Sequence, residues 1–291
     1  MRRFLGPTRL SSLLIALALC VGGFPAYSED LETVLERLGR LADLFEDQAL
    51  SYACDEKIKW NHYEYGVGVN RFSYVYARSE SGEIEDYRTW FKGSRKKGVP
   101  REVWPSEFKI PTYLRNANLW VFAFKESRRS RHTYRWLGED TVLGRRALGI
   151  RFEPIPPYLE KINDWFGTAW IDAETSQLLR VVAHSVEDHA KLVTLEAQLA
   201  GEVPPSVKVG AVEVATHHTI QQIITEFAVQ KNGLRLPSKV QIELDRYRVV
   251  ERRKSLSTRK YKLSRVEQTY TNYQFFNVRT TAEIRAIVDG P

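Results

Sequence analysis

Near residue 50 the spacing of apolar side chains changes from a helical period to an extended one, and this change constrains the fold more than any single motif. Ahead of it, Leu31, Val34, Leu35, Leu38, Leu41, Ala42 and Phe45 recur at i, i+3, i+4 and i+7, with Glu32, Glu36, Arg37, Arg40 and Asp43 between them. That spacing predicts one amphipathic helix over Leu31–Ala49, with Asp30 as its N-cap. Only one side of it is apolar, which suits a helix lying on a sheet rather than one threading a membrane.

Beyond the change the period is two. Phe72, Tyr74 and Tyr76 alternate with Arg71, Ser73 and Val75, and a turn at Ser79-Glu80-Ser81-Gly82-Glu83 leads to a partner strand ending near Trp90-Phe91. Residues 93–117, rich in Gly, Pro and charge, read as a connection with a short helical turn around Thr112–Asn116, and could form a lid or cavity rim. Leu119–Lys125 is expected to be a central strand covered on both faces, with Trp120, Phe122 and Phe124 on one side and Leu119, Val121 and Ala123 on the other. Further strands are expected at Tyr134–Gly138, Arg145–Glu153, Gly167–Asp172, Leu178–Ser185, Ile220–Val229, Lys239–Val249 and Val266–Phe276. Asp172–Ser176 and Lys231-Asn232-Gly233 are turns, and Pro154-Ile155-Pro156-Pro157 interrupts the sheet. Residues 188–208 form a second helix or an insertion, and residues 280–290 a final helical turn. The fold class is mainly β (α+β): a strongly curved antiparallel sheet or half-open barrel with an N-terminal amphipathic helix and few additional helices.

The first thirty residues carry an address. Arg2, Arg3 and Arg9 precede an apolar run from Leu13 to Val21, and Pro25-Ala26-Tyr27-Ser28 leads into Glu29-Asp30. This is the order of a secretory signal peptide over residues 1–28, with cleavage expected after Ser28; the run is about half of the roughly 20 residues that span a bilayer. The bulky Leu19 before Cys20 disfavours a lipoprotein anchor. With residues 1–28 removed, residues 29–291 make a single domain in the periplasm, and Cys54 is the only cysteine left, expected as a buried thiol, with pairing to another chain as the alternative.

The formal net charge of +7 includes the three arginines of the leader. The rest is clustered at Arg95-Lys96-Lys97, Arg128-Arg129-x-Arg131, Arg252-Arg253-Lys254 and Arg259-Lys260-x-Lys262. Such clusters are either solvated hairpin tips or contacts for anionic lipid headgroups, so peripheral membrane contact is compatible with them. Export makes nucleic acid the weaker partner.

Catalytic signatures are not found. His184 and His189 are five apart, a spacing that aligns on neither a helix nor a strand face, and adjacent His217 and His218 point to opposite faces of a strand. There is no Gly-x-Ser-x-Gly elbow, and Gly66-x-Gly68 lacks a third glycine. Asp172 and Glu174 sit in a turn, where carboxylates are expected for turn reasons alone. No metal, no cofactor and no enzymatic activity are expected.

Read in order, the leader, the helix Leu31–Ala49, the run Gly167-Thr168-Ala169-Trp170-Ile171-Asp172 with Thr175 and Leu178-Leu179-Arg180, and the strand entry Leu236-Pro237-Ser238 resemble the bacterial outer-membrane lipoprotein carrier (LolA-like) superfamily. The resemblance implies a helix-capped half-barrel binding lipid or acyl chains in its hollow. It lacks the basic-proline strand motif expected early in the carrier itself, and the chain is longer. It therefore implies a periplasmic binding or carrier protein for a lipid or acylated ligand, and not a dedicated lipoprotein shuttle. The ligand-cavity candidates are Trp60, Phe72, Tyr74, Tyr76, Trp90, Trp120, Phe122 and Phe124, which would bury an acyl chain at about 0.8 kcal/mol per methylene. The alternatives are a structural or protein-interaction component of the cell envelope, with an envelope protein as partner, and a periplasmic hydrolase without a recognisable motif.

Overall fold

The structure is a computed structural model and describes residues 30–47, 52–63, 66–78, 84–90, 101–102, 119–158, 164–204, 206–209, 212–252 and 255–276. The expected signal peptide, the turns expected at Ser79–Glu83 and Thr112–Asn116 and the helical turn expected at 280–290 fall outside these residues.

The amphipathic stripe forms α1 (Leu31–Asp47), whose Val34 N–H donates to the Asp30 carbonyl at 3.3 Å. Val34, Leu35, Leu38, Leu41, Ala42, Leu44 and Phe45 are buried, as the spacing requires. Then come β1 (Tyr52–His62), β2 (Gly66–Arg78), β3 (Ile84–Trp90) and the short β4 (Arg101–Glu102). Sequence reasoning missed β1, because Glu56 stands on its apolar parity among Tyr52, Cys54, Ile58 and Trp60.

The segment expected as a central strand at Leu119–Lys125 is instead helical. It forms α2 (Leu119–Phe122), a turn, and α3 (Glu126–Arg129). Leu119 to Phe124 are apolar at every position, so periodicity does not separate strand from helix there. Tertiary contacts decide: Trp120, Val121 and Phe124 are buried, and the Trp120 indole N–H donates to Thr225 Oγ1 at 2.8 Å. The N–H groups of Ala123, Phe124 and Lys125 donate to the carbonyls three residues back. Arg129 pairs with Glu32 at 2.9 Å, tying this turn to α1.

A meander follows: β5 (His132–Val142), β6 (Arg145–Pro154), β7 (Trp165–Asp172) and β8 (Leu178–Ser185). The helix expected after residue 188 is α4 (Val186–Ala200). Its cap Ser185 accepts from the Asp188 N–H at 3.1 Å, and Gly201 closes it at φ 79°. The short β9 (Ser206–Val209) and β10 (Val212–Ala215) form a hairpin. Then β11 (His217–Glu226), the Asn-Gly hairpin of β12 (Val229–Lys231) and β13 (Leu234–Leu236), β14 (Lys239–Arg252) and β15 (Ser255–Phe275) complete the chain.

Eleven strands form one antiparallel sheet in the order β4-β3-β2-β1-β15-β14-β11-β8-β7-β6-β5. It is curved and not closed, the fold class expected from the sequence. Its centre joins the two ends of the chain: β1 pairs with β15 from Tyr52↔Phe275 to His62↔Ser264. On the inner face one apolar layer runs from β2 across β1, β15, β14, β11 and β8 to β6, and α1 with α2 is packed on it. The outer face carries alternating polar residues, and α4 lies against it, where Leu192 and Leu195 meet Ile220, Tyr247, Val249 and Leu256.

Candidate ligand-binding face

Strand parity puts Trp60, Phe72, Tyr74 and Tyr76 on the inner face, and α2 with its turn brings Trp120, Phe122 and Phe124 into the same apolar cluster. Phe72, Tyr74 and Tyr76 project from β2, and Trp60 from β1 lies across Gly68, its cross-strand partner. Tyr52 stacks on Tyr76 at 5.3 Å between ring centres and meets Tyr273 at 5.0 Å, while Tyr74 meets Tyr270 edge-on at 5.8 Å. Trp120, Phe122 and Phe124 form the second group, in α2 and its turn. Trp120 meets Trp165 at 5.4 Å, and Phe124 meets Phe152 at 5.7 Å. Trp90 ends β3 opposite Phe72; its side chain is outside the described residues.

Within the tyrosine-rich group lies a polar cluster that sequence reasoning missed. Arg88 donates from Nε to Glu56 Oε2 at 2.7 Å and from Nη2 to Oε1 at 3.1 Å, and Gln268 donates to Oε1 at 3.0 Å. Glu56 is 1% exposed and the Arg88 guanidinium lies 4.8 Å from the Tyr74 ring centre. Burial alone would lower the Arg88 pKa, but the Glu56 carboxylate against it holds it above its ordinary value. A bidentate pair of this kind satisfies its own charges, so its job is to be kept intact rather than to do acid–base work. Burial, then the charges of Glu56 and Asp55, push the neighbouring Cys54 thiol well above its ordinary range, which makes it a poor nucleophile. The signal for this cluster was present: Glu56 and Gln268 sit on the apolar parity of their strands.

Tyr270 is fully inside this layer, and its hydroxyl has no hydrogen-bond partner among the described residues. Burial, then Glu56, raise its pKa, so the phenol stays neutral and can donate. Towards the Trp60 end the layer opens. Ile58 is buried, Trp60 and Leu244 are half-buried, and Arg246, Arg248 and Arg259 are exposed.

A second buried cluster pins the β7–β8 turn. Asp172 accepts from Arg145 Nε at 2.5 Å, Arg235 Nη2 at 2.8 Å and the Glu174 N–H at 3.0 Å. The Glu174 contact is the turn role the sequence suggests; the arginines come from β6 and β13. Among the histidines, His184 Nδ1 faces the Gln221 carbonyl at 2.9 Å, His218 Nε2 faces Gln198 Oε1 at 2.9 Å, and His189 stacks on Phe166. His217 is exposed and His218 buried, on opposite faces as expected. Among the described residues no three His, Cys, Asp or Glu side chains gather in a metal-binding arrangement.

No family model matches this chain, and no curated protein matches it. Among solved structures it is similar to a DUF1329 family protein from Desulfovibrio piger, at 11% identity and a TM-score of 0.43, covering 88% of this chain and 97% of that one. It is also similar to a LolA superfamily protein from Nitrosomonas europaea, at 8% identity and a TM-score of 0.37, covering 85% and 94%. A third is the Pseudomonas aeruginosa MucA/MucB complex, at 11% identity and a TM-score of 0.26, covering 84% and 99%.

Proposed function

We propose that this chain is an exported, non-catalytic periplasmic protein that binds or carries a lipid or another apolar ligand bearing one polar group, held against the inner face of the sheet. The observation that carries the reading is the Tyr270 hydroxyl, buried in an aromatic layer without a hydrogen-bond partner among the described residues. An unsatisfied buried polar group costs about 1–3 kcal/mol, a cost that a ligand's acceptor would remove. Tyr74 meets the Tyr270 ring edge-on at 5.8 Å, and Phe72, Tyr76 and the half-buried Trp60 add apolar area to the same layer.

The test is native mass spectrometry and lipid extraction of protein purified from the cell envelope, joined to thermal shift with added amphiphiles. A co-purifying amphiphile and a raised Tm support the reading. Protein that carries nothing and gains no stability from any of them sinks it. Tyr270→Phe sharpens the test: the free protein is expected to gain up to about 1–3 kcal/mol, because the orphan hydroxyl is gone, while the ligand-induced shift shrinks. N-terminal sequencing of the same material is expected to begin at Glu29.

A further inference from the structure

The basic charge of this protein is not spread over its surface. Residues 246–262 hold eight Lys or Arg against one Glu, a net +7 equal to that of the whole chain. Of these, residues 246–252 and 255–262 lie in the far parts of β14 and β15. β1 leaves β15 at Ser264 and β11 leaves β14 at Arg248, so beyond these points the two strands have only each other within the sheet. Ser255 to Leu263 add nine residues to β15 past its last β1 partner, which at roughly 3.3 Å per residue is about 30 Å of ribbon.

Three observations give this ribbon a task. Arg248 and Arg259 are direct cross-strand partners, and Arg246 lies one inner-face position away, opposite Tyr261. Like charges directly opposite are destabilising, and these three exposed arginines have no acidic partner among the described residues. The lysines of the other face are different: Lys260 pairs with Asp245 at 2.7 Å and Lys262 with Glu243 at 3.2 Å. Second, the ribbon is held in place. Tyr247, Val249 and Leu256 pack on Leu192 and Leu195 of α4, so its outer face is braced and its arginine face is left to solvent. Third, the neighbouring β1–β2 hairpin ends at the same edge of the sheet, tied by the Tyr63 N–H donating to the Leu263 carbonyl at 3.1 Å. It exposes Tyr63 by 60%, Val67 by 78% and Val69 by 52%.

We infer that this end of the sheet docks on an anionic lipid bilayer surface. Exposed arginines at the same end of the sheet as exposed Tyr63, Val67 and Val69 match the headgroup region, where phosphate meets the first apolar carbons. Among the described residues the cations stand on both faces at one end of the ribbon, so a flat anionic surface meeting that end reaches more of them than an extended acidic peptide along one face would. The inference rests on charge and exposure at the hairpin and does not depend on any ligand being carried on the inner face.

The test is sedimentation of the full chain with vesicles of phosphatidylcholine alone or with 30 mol% phosphatidylglycerol, comparing variants that share the same N-terminus. The triple variant Arg246→Gln, Arg248→Gln, Arg259→Gln is expected to lose binding to the anionic vesicles by on the order of 100-fold, with binding of the unaltered chain falling as salt rises. Lys57→Gln, Arg71→Gln, Arg135→Gln removes the same charge elsewhere and is expected to bind within a few-fold of the unaltered chain. Unchanged Tm values for both variants confirm that each is folded. Equal binding to both vesicle types, equal losses in the two triple variants, or tight arginine-dependent binding to poly-glutamate without vesicle binding would each overturn the inference; the last would assign the hairpin to an acidic protein partner.

Discussion

Asp172 shows how one carboxylate can serve both a turn and a tertiary joint. Burial alone would raise its pKa, but the Arg145 bonds, the Glu174 N–H and the Arg235 charge together hold it below its ordinary value. A depressed carboxylate contributes stability that is in full above its unfolded value near about pH 4 and is lost as pH falls through the lower native value. Asp172→Asn is therefore expected to cost about 3 kcal/mol in urea unfolding at neutral pH, since it strands the buried Arg235. It should also flatten the acid limb below about pH 4; an unchanged limb would show that another carboxylate governs acid unfolding. Gly68 makes a separate residue-scale case. A Cβ there would stand 2.0 Å from Trp60 Cζ2, so Gly68→Ala is expected to cost about 1–3 kcal/mol and to shift Trp60 fluorescence, with Trp60→Phe in the same chain reducing the cost.

At the scale of elements, α4 is the helix whose attachment depends on neutral histidines. Burial lowers the pKa of His184, His189 and His218 alike. The charged groups around them are mixed: Asp188 faces His184, Arg151, Glu153 and Glu196 face His189, and Lys191 with His217 faces His218. A lowered histidine favours the native state in full at high pH, and that contribution is lost as pH falls through the unfolded value near about 6.5, levelling below the native one. Amide exchange in Val186–Ala200 is accordingly expected to quicken, relative to the β1–β15 pair, between about pH 7 and 5. His218→Gln with His184→Gln should remove most of that pH dependence, and equal acceleration across the whole sheet would contradict a local role. The two helical segments also differ in legibility. The strong caps of α4, Ser185 and Gly201, are local signals, whereas α2 has only an apolar run that fits either period.

At the scale of the molecule, the sheet is joined at its middle by β1 and β15, which are far apart in sequence. The tyrosine-rich layer and its Glu56 cluster draw Tyr270, Tyr273 and Gln268 from β15, which stands between β1 and β14 in the sheet. A chain ending at Arg252 is expected to lose its cooperative urea transition, because β1–β3 and β14–β5 would be left as separate sheets each with a new open edge. A sharp transition in the truncated chain would show instead that the two halves fold independently.

What the residues alone determined was local: a helix starting at Leu31, the alternation that makes a sheet, the Asn-Gly hairpin, the end of β6 at its prolines and the inner parity of Phe72, Tyr74 and Tyr76. Each depends on neighbours a few positions away, which is the range over which period and turn chemistry act. Tertiary structure decided the rest. Whether Leu119–Phe124 coils or extends depends on Thr225, 105 residues from Trp120. Glu56 sits on an apolar stripe because Arg88 pairs with it and Gln268 donates to it from 32 and 212 residues away. Arg259, Lys260 and Lys262 read in sequence as a hairpin tip, yet they lie within a strand, and only the pairing with β14 separates the arginine face from the lysines with acidic partners. Charge and burial at these sites are settled by which distant strand lies alongside, and no local spacing encodes that.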